Sequence, residues 1–107
     1  MAPYGASKAA VISMTWTLAV ELAKYGIRVN VVVPAFVPKP TNYTFGGTPQ
    51  QQLELARRTV PMGRPTKAED VAGAIIAFAS DLTSFSTGQM IVCDGGRLLT
   101  NPVLPNP

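Results

Sequence analysis

From Ala6 to Tyr25 the chain contains neither glycine nor proline, and Gly26 then leads into the run Ile27-Arg28-Val29-Asn30-Val31-Val32-Val33, which stops at Pro34. Within the first stretch Val11, Met14, Leu18 and Leu22 recur at three- and four-residue steps, the spacing of one helix face. A second stripe, Ile12, Trp16, Ala19 and Ala23, lies on another face, so the apolar arc is wider than a surface helix needs and two packing partners are expected. The pattern predicts a long helix over 4–25, a stop at Gly26 and a β-branched strand. The unbroken Val31-Val32-Val33 suits a strand covered on both faces, the habit of parallel sheets in α/β proteins.

Residues 34–49 then carry Pro34, Pro38, Pro40, Gly46, Gly47 and Pro49 with Phe36, Tyr43 and Phe45 among them, a long irregular loop with aromatic content. A short helix is expected over about 50–58. After Pro61, Gly63 and Pro65, the tetrad Thr66-Lys67-Ala68-Glu69 matches an S/T-x-x-E capping box, so the next helix should begin there and run to about Ser80. Met90-Ile91-Val92-Cys93, bounded by Thr87-Gly88-Gln89 and Asp94-Gly95-Gly96, reads as a second apolar strand. A helical crossover between two apolar strands implies a right-handed parallel pair. The expected class is therefore α/β, about three helices and two parallel strands, the C-terminal portion of a doubly wound Rossmann-like sheet and incomplete by itself. One domain is expected over 1–100, with 101–107 a Pro-rich tail.

Composition excludes several function classes. The formal net charge is +3, but the Lys and Arg residues are scattered from Lys8 to Arg97 without a run, which disfavours nucleic-acid binding. A single Cys93 and no histidine rule out an internal disulfide and a Cys/His metal site, and a reducing cytoplasm fits best. Glu21 and Lys24 interrupt the longest apolar stretch, so no membrane association is expected. Apolar residues make up 47% and charged residues 14% of the chain, a balance that points to apolar surface covered by another chain or segment. The helical pattern starts almost at Met1 with no strand before it, so the chain reads as cut at its N-terminus.

The residues with most chemical potential are Tyr4 and Lys8, one helical turn apart on one face. A phenol beside an ammonium is an acid/base couple, because a nearby cation favours the phenolate. By spacing alone the couple is an ordinary solvated pair at a helix start. Ser7 adds a hydroxyl on a neighbouring face. Asp94 before Gly95-Gly96 reads as a turn former, Cys93 as a small packed residue, Arg57-Arg58 as a solvated helix end and Trp16 as a packing or interface anchor.

Context changes the weight of the couple. Tyr4-Gly5-Ala6-Ser7-Lys8 followed by Ala9-Ala10-Val11 resembles the Y-x-A-S-K signature of short-chain dehydrogenases/reductases. Leu18 to Asn30 is similar to the helix-to-strand segment of that family, and Pro34-Ala35 stands at its Pro-Gly. Pro61-Met62-Gly63-Arg64-Pro65 with Glu69-Asp70-Val71-Ala72 resembles the next segment, and Thr87-Gly88-Gln89 with Asp94-Gly95-Gly96 resembles the closing strand and turn. Several segments in family order, spanning residues 3–96, are hard to obtain by chance.

The resemblance implies an NAD(P)-dependent interconversion of a carbonyl and an alcohol on a small-molecule substrate, with Tyr4 as acid/base and Lys8 lowering its pKa and binding the nicotinamide ribose. Tyr4, Lys8, Pro34, Ala35, Val37 and Thr41 would contact NAD or NADP, and 38–58 would form a substrate lid. No metal is implied. Two departures stand out: Ala35 replaces a glycine, which strains the turn if positive φ is needed, and Lys39 replaces a cofactor-contacting threonine, with Thr41 as the substitute. No Gly-rich strand-to-helix turn of the dinucleotide-binding type is present. The chain would therefore act within a homo-oligomer or beside a complementary chain. The alternative is a truncated, non-catalytic relative that retains only the association surface.

Overall fold

The computed structural model describes residues 2–35, 37 and 47–99. In chain order it contains α1 (Ala2–Ala23), β1 (Val31–Pro34), α2 (Pro49–Thr59), α3 (Ala68–Ala79) and β2 (Met90–Cys93), with single 3-10 turns at Asp81–Thr83 and Arg97–Leu99. The strands pair in one two-stranded sheet. The Val31 N–H donates to the Gln89 carbonyl, and four residues on the Ala35 N–H donates to the Cys93 carbonyl, four residues beyond Gln89. Both strands advance together, so the pair is parallel, as the crossover pattern predicts. Three helices and two parallel strands match the expected partial Rossmann-like fold.

The residues divide into two compact units, one of residues 1–32 with 74–91 and the other of 33–73 with 92–107. In the first unit α1 ends as a Schellman cap. The Gly26 N–H donates to Ala23 at 2.9 Å and the Ile27 N–H reaches back to Leu22 at 3.4 Å, with Gly26 at φ 72°. Only a residue without a Cβ takes that conformation at no steric cost. The segment before β1 is then stitched to the turn before β2. Arg28 donates to the Thr83 hydroxyl and to the carbonyls of Ser80 and Ser86. The Asn30 amide donates to the Ser86 carbonyl and its oxygen accepts the Gln89 N–H. These two side chains fix the register from which Val31 starts its ladder.

Two expectations change here. The strand begins at Val31 rather than Ile27, because the Ile27 N–H closes the helix cap on Leu22 and residues 28–30 spend their hydrogen bonds on the 80–89 turn instead of a ladder. Val31, Val32 and Val33 are half-buried and Pro34 exposed, so the strand is not covered on both faces among the described residues; a two-stranded sheet has too few neighbours for that.

The buried face of α1 also differs from either predicted stripe. Thr15 and Ala19 are buried and Ile12, Leu18 and Leu22 half-buried, a line that takes members from both stripes, while Val11, Met14 and Trp16 stay exposed. Ala19 faces Gly88, where an added Cβ would stand 3.4 Å from the Ala19 methyl.

In the second unit α2 opens on a capping box. The Thr48 hydroxyl accepts the Gln51 N–H, the Gln51 side chain accepts the Thr48 N–H, and Pro49 opens the helix. The box expected at Thr66–Glu69 does not form. Instead α3 begins at Ala68, and the Asp70 carboxylate accepts the Lys67 N–H at 2.8 Å. Thr66 turns its hydroxyl to the Cys93 carbonyl. Only this half of a box is made, one residue later than expected, by a carboxylate that Arg64 also binds.

Candidate active site

The amino-terminal turns of α1 present Tyr4 and Lys8. The Lys8 ammonium lies over the Tyr4 ring, 5.5 Å from its centre, within cation–π range. Ser7 donates its hydroxyl to the Tyr4 carbonyl at 2.8 Å, tightening the turn that carries both. Tyr4 is 61% exposed, and among the described residues Lys8 makes no ion pair. Their position along the helix is informative. Tyr4, Lys8, Val11, Thr15, Ala19 and Leu22 follow one another at three- and four-residue steps on α1; Thr15 and Ala19 are buried, whereas Tyr4, Lys8 and Val11 are exposed.

Pro34, Ala35 and Val37 lie in the second unit and are described there. Pro34 closes β1, Ala35 is held to β2 through its N–H at 3.0 Å from the Cys93 carbonyl, and Val37 is half-buried. The strain expected at Ala35 does not arise, because no described residue other than glycine has positive φ. Thr41, Lys39, Tyr43 and Phe45, named for the loop, fall outside the described residues.

The polar residues at the far end of β2 are already engaged. Arg64 grips Asp70 through two bonds of 2.6 and 2.9 Å, and the guanidinium followed by the Lys67 N–H holds the Asp70 carboxyl well below the usual carboxylate range. Asp94, buried, accepts the N–H groups of Gly96 at 2.9 Å and Leu98 at 2.7 Å, and these bonds, Leu98 first, hold its carboxyl low as well. Asp94 is thus the turn former that Gly95-Gly96 suggested. The Cys93 thiol packs near the Asp70 carbonyl at 3.8 Å, a small half-buried residue as read. A cavity of about 350 Å³ is lined by Met62, Thr66, Val92 and these side chains, whose polar atoms face one another. The Arg64–Asp70 pair was not legible beforehand, since a six-residue separation across Pro65 has no fixed geometry.

Among the described residues there is no group of three metal-ligating side chains, and no helix is long and apolar enough to cross a membrane. Lys8 offers an exposed ammonium with three N–H groups and Tyr4 an exposed phenol, groups of the kind that hydrogen-bond to a ribose.

A family model described as enoyl-(acyl carrier protein) reductase matches residues 1–97. The chain is 46% identical over 96 residues to the 3-oxoacyl-[acyl-carrier-protein] reductase of Thermotoga maritima, covering 90% of this chain and 38% of that protein. It is 39% identical over 98 residues to a short-chain dehydrogenase of Aspergillus ruber, covering 92% and 36%. The crystal structure of acetoin dehydrogenase from Salmonella typhimurium superposes with a TM-score of 0.78 at 29% identity, over 97% of this chain and 40% of that one. The chain thus spans about two fifths of the length of the proteins it matches. Its ordered motifs, its parallel strand pair and its match along almost the whole length place it in the short-chain dehydrogenase/reductase family.

Proposed function

We propose that this chain supplies the acid/base end of an NAD(P)-dependent interconversion of a carbonyl and an alcohol on a small molecule. The observation that carries the reading is the Tyr4–Lys8 couple, held one helical turn apart and open to solvent at the start of α1. Tyr4 gives its phenolic proton to the carbonyl oxygen as the alcohol forms, and takes it back in the reverse direction. Lys8 offsets the charge that develops on the phenolic oxygen and donates to the ribose hydroxyls. The nicotinamide, when bound, supplies or accepts the hydride. Pro34, Ala35, Val37 and Thr41 would hold the cofactor, NAD or NADP, through main-chain and hydroxyl groups. The remaining cofactor contacts would come from a further segment or a complementary chain, consistent with the share of the relatives that this chain spans. The single Cys93 and the relatives' chemistry favour a reducing cytoplasm.

The test is Tyr4→Phe in the assembly that turns over. Phenylalanine keeps the ring under Lys8 and removes only the proton donor, so turnover falls by about 10²–10⁴ while nicotinamide affinity is retained. Unchanged turnover sinks the reading.

A second reading, a non-catalytic association module, draws on the exposed apolar side chains of the first unit, Val11, Met14, Trp16, Val20, Leu82 and Phe85, the last fully exposed. Light scattering after size exclusion separates this reading from a self-sufficient monomer. It predicts a homo-oligomer, and a monomer at low concentration would exclude it.

A further inference from the structure

Tyr4 and Lys8 stand apart from the residues that pack α1, and that separation carries an inference which rests on the acid/base reading above and deepens it. Residues 2–11 are all exposed; burial along the helix begins at Ile12, is deepest at Thr15 and Ala19, and ends at Leu22. In this packed half α1 meets Gly88, where an added Cβ would stand 3.4 Å from the Ala19 methyl. Gly88 is itself held in place. Its N–H donates to the Val29 carbonyl at 2.7 Å, and the neighbouring Thr87 hydroxyl accepts the Val29 N–H at 3.1 Å. Arg28 binds the same turn through the Thr83 hydroxyl and the Ser80 and Ser86 carbonyls. All of these residues belong to the first unit, so the 80–89 turn forms a fixed seat for α1 within it. Ala19 follows Tyr4 by fifteen residues. At about 1.5 Å of rise per residue that is a lever of about 22 Å, and a tilt of about 5° at the seat moves Tyr4 by about 2 Å. A misplacement of about 1 Å already costs up to about 10²-fold in rate.

We propose that Ala19 is a positioning residue for the proton donor: its methyl, resting on the turn that Arg28 fixes, sets the angle of α1 and with it the place of the Tyr4 phenol. A larger side chain at this position tilts the helix on its seat and carries Tyr4 and Lys8 out of line with the reacting carbonyl.

The test enlarges the methyl. On the full chain, with Cys93→Ser removing the native thiol, spin labels at Ala6→Cys and Leu82→Cys report the angle between α1 and the turn, since both positions are exposed and in the first unit. Ala19→Val overfills the contact and shifts the mean label distance by about 2 Å, without faster amide exchange in α1. Ala19→Ser, close to alanine in size, keeps the wild-type distance. In an assembly with Tyr4-dependent turnover, Ala19→Val lowers kcat by about 10–10² and leaves the substrate KM within about twofold, whereas Ala19→Ser keeps both at their wild-type values. An unchanged distance, faster exchange along all of α1, or a shifted distance with wild-type kcat would each overturn the proposal. If Ala19→Val does not fold, Arg28→Lys decides. It removes the planar fork that pins the turn, so the distance distribution widens and kcat falls severalfold; no change in either overturns the proposal. Failure of the acid/base reading looks different, since Tyr4→Phe then keeps its turnover whatever the label distance does.

Discussion

Two clusters of polar side chains, one in each unit, are built on opposite terms. At the end of β2, Arg64, Asp70 and Asp94 spend their hydrogen-bonding capacity on one another and on the main chain of Lys67, Gly96 and Leu98. At the start of α1, Tyr4 and Lys8 touch each other and leave phenol and ammonium open. A polar group whose bonds are complete within the chain stabilises the fold and has nothing left to offer a ligand. One that stays open to solvent has its capacity in reserve. A cavity of about 350 Å³ lies beside the first kind of cluster, and the proposed chemistry rests on the second.

This contrast can be broken by substitution. The largest effect falls on Tyr4→Phe, where turnover drops by about 10²–10⁴ while thermal stability moves by less than about 0.5 kcal/mol, measured by paired kinetics and calorimetry. Asp94→Ala should do the reverse. It orphans two main-chain N–H groups and costs about 2 kcal/mol in denaturant unfolding, with no direct effect on proton transfer. If Asp94→Ala abolished turnover in a fully folded assembly, the division between the clusters would fail.

The pH dependence sharpens the same point. The Asp70 and Asp94 carboxyls are depressed in the folded chain, so the stability they contribute is fully present above the unfolded carboxylate value of about 4 and is lost as pH falls through the lower folded values. Acid titration of the unfolding midpoint should therefore show a plateau near neutrality and a descending limb below about pH 4, and Asp70→Asn should flatten that limb. The smallest effect is expected from Arg57→Ala. Its ion pair with Glu54 spans 4.0 Å between side chains more than 60% exposed, so the unfolding midpoint should stay within error of wild type.

Much of the fold could be read before any coordinates. The helix of 22 residues, the stop at Gly26 and the strand Met90–Cys93 follow from periodicity, β-branching and a glycine that alone accepts the left-handed cap. These are local decisions, made by residues within a few positions of one another. The Tyr4–Lys8 couple was legible in the same way, because one helical turn brings residues four apart together whatever surrounds them.

What the tertiary structure alone decided concerns partners distant in the chain. Arg28 and Asn30 are more than fifty positions from the 80–89 turn that they bind, and that competition is why β1 starts at Val31. Asp70 rather than Glu69 caps α3 because Arg64 is folded back against it, and Thr66 is released to Cys93. The buried line on α1 was selected from two equally apolar stripes by where Gly88 came to lie against Ala19. Sequence specified the long helix, its glycine stop and the spacing of the Tyr4–Lys8 couple. Only the folded chain determined which polar groups were consumed in holding the structure together, since a hydrogen bond between distant residues depends on a path that no local pattern encodes.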